Sequence, residues 1–425
     1  MRILAASFVL PITSPPVADG AIAIDDGGRI VDVGTRDRLI SNYPGTALED
    51  LGNAAILPGF VNCHSHLEIT ALRGALDDVE HDFRSWLLKL NDLRSGLSDD
   101  ELLKNARLGA LEGAQAGVTC FGDIGRMGHI GIAALKDAGL RGIVYQETEF
   151  SPDNRTAEKD FQKLAAKYEG LIDTQTDLVR IGLSPHSPYT VSSRLFELIA
   201  EYGIINRIPL SIHVAESDNE VELLQSGTGF FTGVYEKFGV EWSSPYCSPI
   251  EYMERLGVLS ARPLLAHCVK VSDTDIAKIH AYGASIAHCP KSNSKFGHGT
   301  APFERFLDEG IPVGLGSDSV ASNNLCDILE EGRFASLIGR NRAGSERFIG
   351  AEEILRAATL GGAEAMVMAN EIGSLQAGKQ ADLAVISLGH PAQQPIADIH
   401  TALVFSSNAR DVRLTLVAGT VVYRS

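Results

Sequence analysis

The stretch Pro58-Gly59-Phe60-Val61-Asn62-Cys63-His64-Ser65-His66 indicates the fold, because it joins an apolar run to two histidines. In a β-strand, residues i and i+2 share one face, so the rings of His64 and His66 can reach a single ion. The pattern therefore predicts a buried strand that ends in a pair of metal ligands.

Further strand-like runs follow this one, and helical patterns alternate with them. Such alternation is typical of repeated βαβ units and a parallel sheet. Eight strands are predicted in sequence order, at residues 59–66, 118–123, 142–146, 179–184, 209–213, 263–267, 284–288 and 312–317. Helices are predicted at residues 99–116, 157–168, 193–202, 273–280 and 351–366. The predicted fold class is therefore α/β, a TIM-like (β/α)8 barrel.

Short alternating segments at both ends of the chain predict a second, smaller unit. Near the start, Asp25-Asp26-Gly27-Gly28 separates two of them and has the composition of a hairpin turn. We expect residues 1–56 and 371–425 to form the two parts of a small β-sandwich, and residues 57–370 to form the barrel. Two long connections, residues 68–98 and 217–261, are expected to hold functional loops.

Composition and charge exclude several classes of protein. The 425 residues include 37 Lys and Arg against 54 Asp and Glu, a net charge of −17. This charge opposes binding to nucleic acid or to an anionic membrane surface. No run approaches 18 apolar residues, so a membrane span is not expected. The six scattered cysteines indicate buried thiols in a reducing compartment, and we expect a cytoplasmic protein.

The candidate metal ligands all fall where predicted strands end, which is where barrel enzymes assemble their sites. They are His64, His66, His213 and Asp318. Three imidazoles and one carboxylate fit one Zn²⁺ per subunit, with Fe²⁺ as the alternative, and leave a position for water. Such an ion lowers the pKa of bound water from about 15.7 to about 7. His267, at the end of the sixth strand, is expected to orient that water.

Glu216 follows His213 by three residues, so in a continuing strand its side chain would point to the opposite face. If the chain instead turns at Ala215, the carboxylate can swing over the metal and shuttle a proton from water to substrate. The alternative is a loop carboxylate that caps the following helix.

Six motifs carry a resemblance to a known family over nearly the whole chain. They are residues 58–66, Ser184-Pro185-His186-Ser187-Pro188-Tyr189, His213-Val214-Ala215-Glu216, His267-Cys268, His288-Cys289-Pro290-Lys291-Ser292-Asn293 and Gly314-Leu315-Gly316-Ser317-Asp318-Ser319. The chain resembles the amidohydrolase superfamily, in its deaminase and chlorohydrolase branch. Within that branch it is similar to adenosylhomocysteine, methylthioadenosine and aminofutalosine deaminases.

The resemblance implies a site with one metal ion. Glu216 would protonate a ring nitrogen, His267 and Asp318 would handle the attacking water, and ammonia would leave. Relatives with two metal ions carry a bridging lysine at the end of strand four, where this chain has Ser184-Pro185-His186.

The expected substrate contacts are His186, Trp86, Arg141, Asn293 and Ser319. For His186 the alternative is a loop histidine bonded to backbone, and for Trp86 the buried face of a lid helix. Arg141 would meet a substrate carboxylate or be a solvent-facing charge. Asn293 would contact substrate or fix loop backbone.

The predicted function is hydrolytic removal of an exocyclic amine from a purine nucleoside or related N-heterocycle. The alternatives are triazine chlorohydrolase or aminohydrolase chemistry, a guanine or cytosine type of deaminase, and a silent scaffold of the same fold. The partner is a small heterocyclic amine, with no nucleic acid and no membrane, and a homo-oligomer is compatible with the sequence.

Overall fold

The computed structural model describes residues 1–345 and 347–425. Its strands are β1 Arg2–Val9, β2 Val17–Ile24, β3 Ile30–Thr35, β4 Ala47–Asp50, β5 Ala54–Pro58, β6 Phe60–Ser65, β7 Val118–Gly125, β8 Arg141–Glu147, β9 Val179–Ser184, β10 Ser211–Val214, β11 Leu264–His267, β12 Ser285–His288, β13 Val313–Leu315, β14 Leu383–Ser387, β15 Val412–Val417 and β16 Thr420–Arg424.

The helices alternate with the central strands. They are α1 Arg36–Asn42, α2 Phe83–Ser95, α3 Asp99–Gln115, α4 Gly128–Ala138, α5 Ala157–Glu169, α6 Ser193–Asn206, α7 Asp218–Ser226, α8 Phe230–Phe238, α9 Pro249–Arg255, α10 Asp273–Tyr282, α11 Pro290–Lys295, α12 Phe303–Asp308, α13 Val320–Asn323, α14 Ile328–Ala343, α15 Ala351–Arg356, α16 Gly362–Ala365 and α17 Ile399–Thr401. None of the described helices is both long and apolar enough to cross a membrane.

The eight strands predicted in the central part of the chain are present as β6 to β13, with ends that differ by a few residues. In the described chain, β6-β7-β8-β9 form one sheet and β10-β11-β12-β13 another, and all neighbouring pairs are parallel. Single parallel bridges join Leu183 to Leu210 and Ser65 to Asp318, at the two places where these sheets adjoin. The fold is therefore α/β with parallel sheets in sequence order.

The two ends of the chain contribute strands to one common sheet. Strand β5 pairs with β1 from the N-terminal segment and with β14 from the C-terminal segment. The resulting sheet has the order β16-β15-β14-β5-β1-β2-β3, with β4 added beside β1. The hairpin predicted around residues 25–28 joins β2 to β3. The expected boundary at residue 56 falls inside β5, which continues to Pro58.

Apolar side chains on the two faces of the terminal sheet explain why it forms. One face contributes Leu4, Ile22, Ile56, Val385 and Leu416 to a buried cluster, and Leu383 lies in the same cluster. A larger core fills the space between the central strands and their helices. Burying apolar area in this way is the dominant favourable term in folding. The parallel strands are thereby held in register, and their carboxyl ends lie at one end of the molecule.

Candidate active site

The predicted metal ligands converge at the carboxyl ends of β6, β10 and β13. The Nε2 atoms of His66 and His213 are 3.2 Å apart. The Oδ1 atom of Asp318 lies 3.3 Å from Nε2 of His64 and 3.5 Å from Nε2 of His66. Ligand atoms held tetrahedrally at 2.0–2.1 Å from zinc would lie about 3.3 Å apart. These three spacings fit ligands of a single ion. Two overlapping groups, His64 with His66 and His213, and His64 with His267 and Asp318, each have ligand atoms within 4.8 Å of one another.

The surroundings of His64 support the same assignment. Its side chain is fully buried, and neither ring nitrogen has a hydrogen-bond partner in the described part of the chain. Burial lowers the pKa of His64 to about 4, so the ring is neutral near neutral pH and keeps a free lone pair. Buried polar atoms are nearly always bonded, so an orphaned imidazole at this position fits a metal ligand.

Hydrogen bonds behind the predicted ligands fix their orientation. The Nδ1 atom of His213 lies 3.1 Å from the carbonyl oxygen of His186 and can donate to it. Asp318 accepts from the hydroxyl of Ser292 at 2.5 Å, the hydroxyl of Ser322 at 3.1 Å and the backbone N–H of Ser319 at 2.7 Å. Such contacts orient metal ligands and tune their basicity.

A second group of metal-binding residue types lies beside the first. Glu147, His186 and His213 offer ligand atoms within 4.8 Å of one another. The Nε2 atom of His213 already faces His66, however, and its Nδ1 atom faces the backbone of His186. Glu147 and His186 are therefore left as cavity-facing groups rather than as a second metal site.

The chain turns at Ala215, as expected if Glu216 is to face the metal ligands. Strand β10 ends at Val214, and Ala215 has a φ of 54°, in the left-handed region that few non-glycine residues adopt. The Oε1 atom of Glu216 lies 3.6 Å from Nε2 of His267 and 3.7 Å from Nε2 of His298. Ser217, not Glu216, caps helix α7.

Left-handed backbone also recurs at other residues of the site. His267, Cys268 and Asp318 have φ values of 74°, 46° and 55°. Strained conformations of this kind persist where the surrounding structure enforces them, and they cluster at functional sites. Burial raises the pKa of the nearby Glu216 above its usual value. The site thus holds a carboxyl group suited to moving protons.

Three of the predicted substrate contacts line a cavity that opens from these ligands. The cavity has a volume of about 360 Å³, and its walls include Trp86, His186 and Ser319. The Nδ1 atom of His186 lies 2.7 Å from the hydroxyl of Thr190, which leaves Nε2 directed toward Glu147 at 3.9 Å. Trp86 lines the cavity and is also buried against Phe296, with ring centroids 4.9 Å apart.

Asn293 has a different position from the expected one. Its side chain is 1% exposed, and its Oδ1 atom lies 2.9 Å from Nδ1 of His267. It does not belong to the residues that line the cavity. The structure therefore places Asn293 behind His267, where it can fix the orientation of that ring.

The prediction that Arg141 contacts the substrate is wrong. Arg141 begins β8, at the end of the strand opposite the cavity, and its side chain is 2% exposed. Its Nε and Nη2 atoms donate to the two carboxylate oxygens of Asp382 at 2.9 and 3.2 Å. The guanidinium group is thus enclosed in an ion pair that ties the central strands to the C-terminal segment.

Sequence analysis missed three buried carboxylates that support the loops of the site. Asp123 accepts the backbone N–H of Leu67, directly after His66, at 2.7 Å. Glu220 accepts the N–H groups of Ala215 and Glu216 at 2.8 and 2.9 Å. Glu331 accepts from Asn323 and from the backbone N–H of Lys291.

All three carboxyl groups are buried, and burial raises the pKa of each to about 8. Their positions in the sequence do not indicate that they are buried. Glu220 lies in the first turn of helix α7, a position typical of an exposed acidic residue, and it is buried because other parts of the chain pack over it.

Comparison with known proteins agrees with this geometry. A family model described as the amidohydrolase family matches residues 55–422. The chain belongs to the amidohydrolase family. A curated relative, the 5-methylthioadenosine/S-adenosylhomocysteine deaminase of Nitratidesulfovibrio vulgaris, is 31% identical over 414 residues, which cover 96% of this amidohydrolase and 88% of the relative.

Solved structures of similar shape include two enzymes crystallised with zinc. An adenosine deaminase from Xanthomonas campestris superposes with a TM-score of 0.86 and 26% identity, covering 99% of this amidohydrolase and 92% of that chain. Atrazine chlorohydrolase from Arthrobacter aurescens gives a TM-score of 0.84 and 25% identity, with coverages of 99% and 95%.

Proposed function

We propose that this amidohydrolase is a metal-dependent deaminase that hydrolyses the exocyclic amine of a purine nucleoside and releases ammonia. The observation that carries the proposal is the convergence of His64, His66, His213 and Asp318 at the strand ends, beside Glu216 and His267 at the base of one cavity. The similarity to a methylthioadenosine and adenosylhomocysteine deaminase and to an adenosine deaminase supports this substrate class.

The proposed ligands of one zinc ion are His64, His66, His213 and Asp318, with Fe²⁺ as the alternative metal. The fit rests on the donor-atom spacing and on the orphaned nitrogens of His64. When bound, zinc supplies a water molecule of lowered pKa and polarises the reacting group. The zinc in the two similar crystal structures supports the choice of metal.

Proton movements in the reaction fall to three residues. Glu216 receives a proton from the attacking water and delivers it to a ring nitrogen of the substrate, because its carboxylate lies inside the cavity beside His267. His267 and Asp318 hold the water in line for attack. Asp318 then takes the second proton of that water and passes it to the amine, which leaves as ammonia as the C–N bond breaks and a carbonyl group forms.

The remaining predicted residues divide into two roles. His186, Trp86 and Ser319 line the cavity and are the proposed substrate contacts. Asn293 is a positioning residue that acts through His267. Among these contacts, His186 would bind the substrate through Nε2, because its Nδ1 atom is hydrogen-bonded to the hydroxyl of Thr190.

The proposed architecture is a closed eight-stranded barrel with a β-sandwich built from both chain ends. The two parallel bridges that link the four-stranded sheets support closure of the barrel. Residues 1–56, 57–370 and 371–425 remain the proposed division. We expect a cytoplasmic enzyme with no nucleic-acid partner. Assembly into a homo-oligomer is compatible with this proposal.

Ammonia release from metal-replete protein tests the function directly. The panel includes adenosine, other aminated purine nucleosides, guanine, cytosine and an aminated or chlorinated triazine. Turnover is expected for the adenine nucleosides, with about one equivalent of zinc in the purified protein. Turnover confined to the triazines would favour the chlorohydrolase alternative. No turnover of any member, with no metal bound, would favour a silent scaffold.

A further inference from the structure

His298 lies beside Glu216, on the loop that follows helix α11. Its side chain is 6% exposed, and its Nε2 atom is 3.7 Å from Oε1 of Glu216. This nitrogen has no hydrogen-bond partner in the described part of the chain. Buried polar atoms are nearly always bonded, so an unpaired ring nitrogen that faces a carboxylate indicates a contact that forms during the reaction.

The two imidazoles that face Oε1 of Glu216 differ in what they can donate. Nε2 of His267 is 3.6 Å from the same oxygen. A neutral imidazole has one N–H group, and in His267 it lies on Nδ1, 2.9 Å from Oδ1 of Asn293. Nε2 of His267 therefore offers a lone pair and cannot donate to an ionised Glu216.

His298 can supply the N–H group that His267 does not. Burial lowers the pKa of His298 to about 3, so the ring is neutral near neutral pH and has one N–H group. A proton on Nε2 would point at Oε1 of Glu216, the oxygen that this nitrogen faces. The separation of 3.7 Å is longer than a hydrogen bond, but contacts of catalytic groups often shorten only when substrate binds.

Two aromatic side chains hold the ring of His298 in place. Phe83, the first residue of α2, packs edge-on against it, with centroids 4.8 Å apart and an interplanar angle of 86°. Phe296 lies on another side, with its centroid at 5.2 Å. Phe83 and Phe296 line the cavity, whereas His298 does not. His298 is therefore placed to act on the reaction through Glu216 rather than by touching substrate.

The backbone on both sides of His298 is built to turn. Gly297 and Gly299 have φ values of 67° and 104°, in the region that favours glycine. Between them, the backbone N–H of His298 donates to the carbonyl oxygen of Asn293 at 2.9 Å. Asn293 thus links both histidines, because its side chain holds His267 and its carbonyl holds the loop of His298.

We propose that His298 is a positioning residue for Glu216: its Nε2–H donates to Oε1 of the carboxylate and leaves Oε2 for the proton transfers. The assignment rests on the proposed function, in which Glu216 carries the proton. The two imidazoles then divide the work, since His267 holds the attacking water and His298 holds the carboxylate. In the alternative, His298 only fills the space between Phe83 and Phe296.

Two substitutions separate these roles. His298→Phe keeps an aromatic ring and removes the N–H group, whereas His298→Gln removes the ring and keeps an amide N–H donor. For the nucleoside that the wild-type enzyme turns over fastest, kcat is expected to fall about 10-fold or more in His298→Phe, because small misplacements of a reacting group are costly. His298→Gln should recover part of this loss. KM should change little, since His298 does not line the cavity.

Two results of this comparison overturn the proposal. One is wild-type kcat in His298→Phe, which would show that the ring matters only for packing. The other is a loss in His298→Gln that equals or exceeds the loss in His298→Phe.

A double-mutant cycle shows whether His298 acts through Glu216. In the Glu216→Gln background, His298→Phe is expected to cause little further loss of kcat, because the effects of residues that share one contact are not additive. Losses that simply multiply would show that His298 acts independently of Glu216, and they overturn the proposal.

His280→Phe is the matched control, because His280 is exposed on α10, and it should keep wild-type kcat. Zinc content and denaturant unfolding of the His298 variants should match those of the wild-type enzyme. If His298→Phe does not fold, His298→Leu takes its place in the same comparison, since leucine also lacks the N–H group.

The two proposals can fail separately. Ammonia release that depends on Glu216 but not on His298 contradicts only the positioning role. No ammonia from any nucleoside contradicts the deaminase function and, with it, the role of His298.

Discussion

The Nδ1 atom of His267 lies 2.9 Å from the Oδ1 atom of Asn293, and both side chains are buried. An amide oxygen only accepts hydrogen bonds, so Nδ1 carries the proton and Nε2 is left free to face Glu216. Asn293, expected as a substrate contact, thus determines which tautomer His267 presents to the site.

Replacement of Asn293 by alanine is expected to lower kcat about 10- to 100-fold, the usual cost of losing such a supporting contact. KM should change little, because Asn293 does not line the cavity. Steady-state kinetics measure kcat and KM, and a zinc assay on the same preparation measures the metal content. Asn206→Ala, at the exposed end of α6, is the control. A rise in KM with unchanged kcat would instead return Asn293 to substrate binding.

Replacement of Glu216 by glutamine removes the proposed proton carrier while keeping the size of the side chain. We expect kcat to fall by about 10² to 10⁴, the range for a positioned acid–base group. Zinc content should stay near one equivalent, because Glu216 is not a proposed ligand. Ammonia release and metal analysis on the same preparation test this. Retained activity would remove Glu216 from the mechanism.

The pH dependence of kcat/KM follows from the raised pKa of Glu216. Glu216 accepts a proton only when ionised, so activity should rise with pH through its pKa, which burial places above 4.5. The proposed ligand His64 has a pKa of about 4, so it is protonated only in more acidic solution. A pH profile with zinc measured at each point separates the two events. A profile that stays flat down to pH 4.5 would contradict the assignment.

Glu220 holds the loop that carries Glu216, through the backbone N–H groups of Ala215 and Glu216. In Glu220→Gln an amide N–H would face one of these donors, so Glu216 should lose its position. We expect kcat to fall about 10-fold or more, since small misplacements of reacting groups are costly. The conservative variant Glu220→Asp should recover less than full activity, because its shorter side chain reaches only one donor.

The matched control for that variant is Glu222→Gln, an exposed glutamate on the same helix. It should keep wild-type kcat. Equal kcat values for the two glutamine variants would show that the contact of Glu220 does not position Glu216.

Arg141→Met tests the corrected role of Arg141. Removing the guanidinium group leaves the buried Asp382 without its partner, and breaking a buried ion pair costs about 3–5 kcal/mol of folding free energy. Denaturant unfolding should show this loss, whereas kcat/KM of the folded fraction should stay near the wild-type value. A selective rise in KM at unchanged stability would restore Arg141 to the substrate site.

Local patterns in the sequence were sufficient to predict the strands and the grouping of the proposed metal ligands. A His-x-His pair at a strand end, and further histidines and an aspartate after later strands, imply convergence once the strands are parallel. The turn at Ala215 could also be foreseen, because Glu216 reaches the site only if β10 ends before it.

The errors came from residues whose partners are distant in sequence. Arg141 pairs with Asp382, and Asn293 with His267, across elements that only the folded chain brings together. The same holds for Glu220, whose helix position shows no sign that it is enclosed.

The sequence by itself determined the order of β and α elements and the chemistry available at each strand end, because both depend on local periodicity and residue type. Only the tertiary structure decided which polar groups face the cavity and which are already paired. The tertiary structure also places helices α2 and α8 as walls of the cavity. Pairing and enclosure depend on distances between remote segments, and packing of the whole chain sets those distances.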